Sequence, residues 1–180
     1  MPTLRVNLSQ QNMPHFVTLT VIEWIDIFTK PEYFKVITDS LMFCRKNKGL
    51  RVYEYVIMTN HIHMIVGTPE ANNLSQVLSD FKKYTTRELW KLLEKDNRSY
   101  ILNILNNSYN RKKGYVTQIW QRENYPKVIY SDVFLLTKVK YIYFNPVKKG
   151  YVEQPEDWQY SSARNWIKEK HDIIELDPRP

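Results

Sequence analysis

Residues 50–67 read Leu-Arg-Val-Tyr-Glu-Tyr-Val-Ile-Met-Thr-Asn-His-Ile-His-Met-Ile-Val-Gly. Two runs rich in β-branched and aromatic residues, 50–58 and 61–67, flank a short Thr59-Asn60 turn and predict a hairpin. Alternate side chains of a strand share a face. His61 and His63 therefore point one way, and Ile62 and Met64 point into the opposite layer. Upstream, Pro31 opens a helix to about Lys46, as a first-turn proline can. Its apolar positions Phe34, Ile37, Leu41 and Cys44 recur every three or four residues, and Asn47-Lys48-Gly49 closes it. Before it, His15–Ile22 reads as a strand, with Phe16–Thr20 alternating. Residues 1–14 are a polar lead-in.

Downstream, a long helix is expected from Leu74 to about Lys95, with Leu74, Val77, Leu78, Phe81 and Tyr84 on one face. Residues 96–118 hold several Asn, Ser, Lys and Arg and are expected to be an insertion or loop. Ile119-Trp120-Gln121 and Lys127–Tyr130 read as short strands. Ser131-Asp132 caps another helix that reaches about Phe144 and stops at Asn145-Pro146. Residues 151–166 carry Trp158, Tyr160 and Trp166, and 167–180 read as a charged C-terminal tail. The order strand, helix, strand, strand, helix, strand and a later helix fits a split β-α-β domain of the α+β class. It excludes a coiled coil and an all-β sandwich.

The chain has 180 residues, which suits one domain, and 43% hydrophobic with 25% charged residues argues against wholesale disorder. A formal net charge of +7 suits a polyanionic partner such as DNA, RNA or an anionic membrane surface, although a merely soluble basic domain has the same balance. The single cysteine, Cys44, excludes an internal disulfide framework and sits in an apolar helical pattern, so packing is its expected role. No apolar run approaches the ~18 residues of a membrane span. The N-terminus, Met1-Pro-Thr-Leu-Arg, lacks the apolar core of a secretory signal. Cytoplasm is the expected location, with no membrane partner.

Two segments carry candidate chemistry. His61 and His63, on one face of one strand, suit a divalent metal, although two hydrogen-bonded histidines would look the same. In Tyr141-Ile-Tyr-Phe-Asn-Pro146, helical i, i+4 spacing sets Tyr141 beside Asn145, with Thr137 and Lys138 on the same side. Tyr143 is turned roughly two hundred degrees away and is expected to pack. An amide oxygen from Asn145 can complete a metal site, and the Tyr141 hydroxyl can be a nucleophile. An ordinary helix stop before proline also explains the segment. Taken together, two imidazoles and one amide oxygen leave open positions on Mg²⁺ or Mn²⁺ for a phosphate oxygen. A tyrosine, with a solution pKa near ~10, is a good leaving group in a reverse step. That favours transesterification over hydrolysis.

Asn60-His-Ile-His-Met-Ile-Val66 followed by Tyr141-Ile-Tyr-Phe-Asn-Pro-Val-Lys-Lys-Gly-Tyr-Val152 resembles the HUH single-tyrosine transposases, in the branch of the REP-associated tyrosine transposases. His15-Phe-Val-Thr-Leu-Thr, Phe81-Lys-Lys-Tyr-Thr, Trp120-Gln-Arg and Pro155-Glu-Asp-Trp-Gln-Tyr-Ser-Ser add to the likeness, which spans roughly residues 15 to 166. The resemblance implies a ferredoxin-like antiparallel sheet with helices on one face and the HUH pair on a central strand. It implies cleavage and rejoining of single-stranded DNA, often beside a hairpin. His61, His63 and Asn145 would match the metal ligands, and Tyr141 the nucleophile that forms a 5′-phosphotyrosine and frees a 3′-hydroxyl. Related enzymes include dimers, so a homodimer, with catalysis in cis or in trans, is open. The chain departs from the pattern at Tyr125-Pro126-Lys127, where many relatives carry an acidic-His pair.

Lys82, Lys83, Arg87, Arg122, Lys138 and Lys140 are the expected contacts to DNA phosphates, with the Arg111-Lys112-Lys113 run and Lys148-Lys149 as further cations. An ordinary solvated face is the plainer reading of each. Two alternatives stand beside the transesterase: a domesticated module that binds single-stranded or hairpin nucleic acid without cutting it, and a metal hydrolase using water.

Overall fold

The computed structural model describes residues 10–69, 73–108 and 118–180. In chain order these form β1 (His15–Thr20), α1 (Pro31–Lys48), β2 (Arg51–Ile57), β3 (His61–Gly67), α2 (Leu74–Lys95), α3 (Ser99–Ser108), β4 (Lys127–Val128), α4 (Asp132–Lys148) and α5 (Ser162–Ile167). The strands make one antiparallel sheet in the order β2-β3-β1-β4. The histidine-bearing β3 is a central strand, as expected. Its register sets Thr18 opposite His63 and Thr20 opposite His61 across β1.

Local signals explain most boundaries. Pro31 sits in the first turn of α1, and Gly49 ends it with a left-handed φ of 66°, a conformation that glycine adopts without a Cβ clash. The Asn73 side chain caps α2 by accepting from the Gln76 amide, and Ser131 caps α4 by accepting from Phe134.

The sheet has two covered faces. Val17, Leu19, Ile62, Met64 and Val66 pack against Phe34, Ile37, Leu41 and Cys44 of α1 and Leu78, Phe81 and Leu89 of α2. On the other face, Phe16, Val56 and Ile65 pack against Leu135, Val139 and Ile142 of α4. The expectation of helices on one face holds for α1 and α2 and needs correction for α4. Strand alternation gives the second face its own apolar residues, and these must also leave water.

Four further expectations change. Residues 99–108 form a helix rather than a loop, because Ile101 and Leu105 one turn apart reach the main core. On α2, Tyr84 lies exposed and Thr85 takes the buried position. The predicted strand at 119–121 is reduced to a single bridge between Trp120 and Val21, and Trp120 is held instead by core contacts and its indole hydrogen bond to Thr85. Helix α4 does not stop at Asn145-Pro146 but runs on to Lys148, with Lys149 donating to the Asn145 carbonyl at 3.2 Å. Proline forfeits one backbone bond, yet the Pro146 ring is buried and the turn continues past it.

The C-terminal tail is also not a tail. The Asp177 amide donates to the Val52 carbonyl at 2.8 Å, and its carboxylate accepts from the Val52 amide at 2.7 Å. Ile57 donates to the Tyr160 carbonyl, and Tyr55 donates to the Ser162 hydroxyl. The open edge of β2 is thereby covered, which removes a site for edge-to-edge pairing. The Arg111-Lys112-Lys113 run and the lead-in residues 1–9 lie outside the described residues.

Candidate active site

His61 and His63 stand side by side on the α4 face of β3, with ring centroids 4.7 Å apart. Both are buried. Each imidazole is fixed through Nδ1. His61 Nδ1–H donates to Asn60 Oδ1 at 2.7 Å, and His63 Nδ1 shares a 2.8 Å hydrogen bond with the Thr18 hydroxyl. The Nε2 atoms are left to face the space below α4. Asn60 is itself anchored, donating through Nδ2 to the Asp26 carboxylate at 2.9 Å and to the Trp24 carbonyl at 3.0 Å. Such outer partners hold a ligating imidazole in one tautomer and orientation.

Both histidines are neutral at pH 7. Burial is the chief cause, pulling His61 down to about 4 and His63 down to about 3. Lys149 also disfavours charge on His61, whereas Asn145 and Asp26 oppose that shift. Charge on His63 is further disfavoured by His61 and Lys138. A neutral imidazole keeps the lone pair that a metal requires.

Helix α4 brings the remaining residues. The Tyr141 hydroxyl lies 3.4 Å from His63 Nε2, and its ring stands edge-on to His63. Phe16 stacks on His63 at 5.4 Å and meets Tyr141 at 5.9 Å. One turn further on, Asn145 lies beside His61. Its Oδ1 is buried and has no hydrogen-bond partner in suitable geometry among the described residues. A buried amide oxygen without a well-aligned partner is costly, and a divalent cation held by Asn145 with His61 and His63 would satisfy it. No cluster of three His, Cys, Asp or Glu occurs among the described residues; here an amide stands third beside the two histidines. Two imidazoles and one amide oxygen suit a borderline ion that retains open positions.

The structure thus gathers His61, His63, Tyr141 and Asn145 at one place, although α4 is remote in sequence from β3. Tyr143 is turned away and packs, as expected, against Arg179. The DNA-contact candidates divide. Lys138 is at the site, with Nζ 4.7 Å from the Phe16 ring centroid and 5.7 Å from that of Tyr141. Lys83 and Arg122 are exposed. Arg87 is exposed beside Tyr84 and pairs with Glu88. Lys140 sits on the solvent side of α4, about one hundred degrees around the helix from Tyr141. Lys82 is a correction: its Nζ donates to the carbonyls of Gln121 and Arg122 and to Asn124 Oδ1, at 2.6, 3.2 and 2.8 Å. It ties α2 to the 121–124 segment instead of facing solvent.

Sequence reasoning missed Thr18, Asn60, Asp26, Trp24 and Phe16 as parts of this site. Thr18 and Phe16 were visible as strand residues and as part of the His15-Phe-Val-Thr-Leu-Thr likeness, with no role attached. Their role follows from the β1–β3 register, which no local pattern sets. No helix among the described residues is long and apolar enough to cross a membrane.

Comparison with known proteins bears on the family and the fold. The family model for IS200-like transposases matches residues 10–111. A Haemophilus influenzae protein assigned as a REP-associated tyrosine transposase is 35% identical over 113 residues, covering 62% of this chain and 58% of that protein. The REP-associated tyrosine transposase of Escherichia coli is 22% identical over 129 residues, covering 72% of this chain and 64% of that protein. These alignments therefore span less than two thirds of either relative. A solved structure of a REP-associated tyrosine transposase bound to a REP hairpin superposes with a TM-score of 0.66 at 17% identity, covering 100% of this chain and 90% of that one. This likeness is one of fold.

Proposed function

The chain belongs to the IS200-like transposase family, and from that premise we propose that it cleaves and rejoins single-stranded DNA by metal-dependent transesterification through Tyr141. The observation that carries this reading is the convergence of His61, His63, the unpartnered Asn145 oxygen and the Tyr141 hydroxyl. His61, His63 and Asn145 would hold Mg²⁺ or Mn²⁺. Bound there, the ion would supply Lewis-acid polarisation of a phosphate oxygen.

The protein's own groups do the rest. The Tyr141 oxygen forms a bond to the scissile phosphorus, and the bond from phosphorus to the 3′ oxygen breaks. The phenol gives up a proton and the departing 3′ oxygen takes one up, leaving a 5′-phosphotyrosine and a free 3′-hydroxyl. Attack by a second 3′-hydroxyl reverses the step and restores Tyr141. Lys138, beside the tyrosine ring, would offset phosphate charge, and Phe16 would hold the ring against His63. Tyr141 reaches the histidines of its own chain, which favours catalysis in cis.

The expected strand carries a hairpin, a reading supported by the hairpin held by the structural neighbour. The test uses single-stranded oligonucleotides from the flanks of the protein's own gene, hairpins included, with Mg²⁺ or Mn²⁺. Denaturing electrophoresis should reveal a covalent protein–DNA band that is lost in Tyr141→Phe and with chelator. An adduct surviving Tyr141→Phe would move the nucleophile elsewhere. Tight binding with no adduct on any strand would favour a non-cleaving hairpin-binding module.

A further inference from the structure

Along its site-facing edge, α4 presents one more feature that the proposed chemistry leaves unused. Tyr130, just before the helix, and Phe134 stack face to face, with centroids 4.8 Å apart and an interplanar angle of 16°. Tyr130 is 73% exposed, so its outer ring face meets water. One turn on, Lys138 Nζ lies 5.2 Å from the Phe134 centroid and reaches over Phe16 and Tyr141. Stacked aromatics, a cation and the nucleophile thus follow one another along one helix edge and end at His63. Neither Lys138 nor Lys127 forms a salt bridge among the described residues.

The other end of the site is bounded by a second exposed aromatic. Trp24 is 57% exposed and stands edge-on to His61 at 5.6 Å. Its φ of 54° and the 55° of Glu23 are left-handed values, which cost free energy for residues with side chains and tend to cluster at functional sites. The Asn60 side chain that orients His61 also holds the Trp24 carbonyl.

We propose that Tyr130 and Phe134 form a stacking platform for an unpaired base of the DNA strand, with Lys138 on the phosphate between that base and Tyr141. The proposal rests on the single-strand reading above and adds where the strand lies. Charge complementarity selects a polyanion, and a flat, open aromatic face selects a base over a duplex backbone. Tyr130, whose outer ring face would take the base, is eleven residues before Tyr141, or roughly 16 Å along the line of α4. At ~3.4 Å per stacked nucleotide, the base held is about five nucleotides from the scissile phosphate.

The experiment measures binding of fluorescein-labelled hairpins with thymidine flanks, in Mg²⁺ and in a Tyr141→Phe background, by anisotropy. One flanking base at a time is replaced by an abasic site. Tyr130→Ala should weaken binding to the intact strand roughly tenfold, with an unchanged salt slope, and Tyr130→Trp should restore it. One abasic position should reproduce the loss and make Tyr130→Ala silent. Lys138→Met should lower the salt slope by about one. Tyr130→Ala binding within twofold of the parent, a loss equal on every abasic strand, or no binding by the parent would each overturn the platform. If no strand gives an adduct and the Tyr130 effects still hold, the transesterase reading fails and the platform stands. If adducts form and Tyr130→Ala is indifferent, the reverse is true.

Discussion

Thr18→Val separates the chemistry of the histidine pair from the stability of the sheet. Thr18 is half-buried on β1, directly across from His63, and its hydroxyl is 2.8 Å from His63 Nδ1. Valine keeps the shape and β-branching that suit a strand, so the packing survives. What disappears is one hydrogen bond, worth about 1 kcal/mol net, and with it the restraint on the imidazole tautomer. Without Thr18, the Nδ1–H form of His63 loses its partner. The Nε2–H form keeps one, because it can donate to the Tyr141 hydroxyl 3.4 Å away, so nothing then holds the proton on Nδ1. A proton on Nε2 removes the lone pair that would face the metal. Loss of such an outer partner typically lowers metal affinity ~10–100-fold, or about 1.4–2.7 kcal/mol. Titration calorimetry with Mn²⁺ reads that directly. The melting temperature should move by only a few degrees, as expected for about 1 kcal/mol in a chain of this size. Mn²⁺ affinity within twofold of the parent, in a protein that melts normally, would refute the argument that Thr18 sets the tautomer.

Other substitutions test neighbouring parts of the reasoning. Asn145→Ala should lower Mn²⁺ affinity about tenfold or more, yet move the melting temperature by only a few degrees, since its buried oxygen has no well-aligned hydrogen bond and only its interaction with His61 to lose; a large drop in melting temperature would make Asn145 structural. Arg179→Ala strips the ion pair from Glu54, a carboxylate with no exposed surface, and should cost about 2–3 kcal/mol, or roughly 5–10 °C by calorimetry. Burial raises the Glu54 pKa, and a protonated carboxyl needs no cation, so that loss should shrink as pH falls from 8 to 5; an equal loss at both would contradict it. Burial also holds Lys82 down to about 8, against 10.5 for the free side chain. Between those values the unfolded chain binds a proton that the folded one has released, so this group's contribution rises with pH. The denaturant-derived stability of the parent relative to Lys82→Met should therefore grow, by on the order of 2 kcal/mol, from pH 8 to 10.

The readable parts of the sequence were those whose physics is local. Helices α1 and α2 announce themselves by apolar spacing and end residues, and the hairpin β2–β3 by two alternating runs around Thr59-Asn60. The proline in α4 misled for the same reason. Taken locally Pro146 stops a helix, whereas in the fold its ring is buried and the helix runs one turn further. Residues 99–108 were obscured by the Asn, Ser, Lys and Arg of the longer 96–118 stretch, yet Ile101 and Leu105 are buried in the core and Leu102 packs against it.

By itself, the sequence determined that His61 and His63 share a face, that Tyr141 and Asn145 share another, and that the domain is α+β. Side-chain periodicities of two and of 3.6 residues suffice for that. Only the tertiary structure decided that the two faces meet. The antiparallel register of β1 with β3 and the packing of Leu135, Val139 and Ile142 on the sheet place Tyr141 over His63. The fold also sorted the cations, burying Lys82 against three oxygens while Lys138 stayed at the nucleophile. It turned a charged tail into a cover for the β2 edge. Charge and composition say which residues can meet a polyanion. Long-range packing, which minimises exposed apolar area and unpaired polar groups over the whole chain at once, decides which of them do.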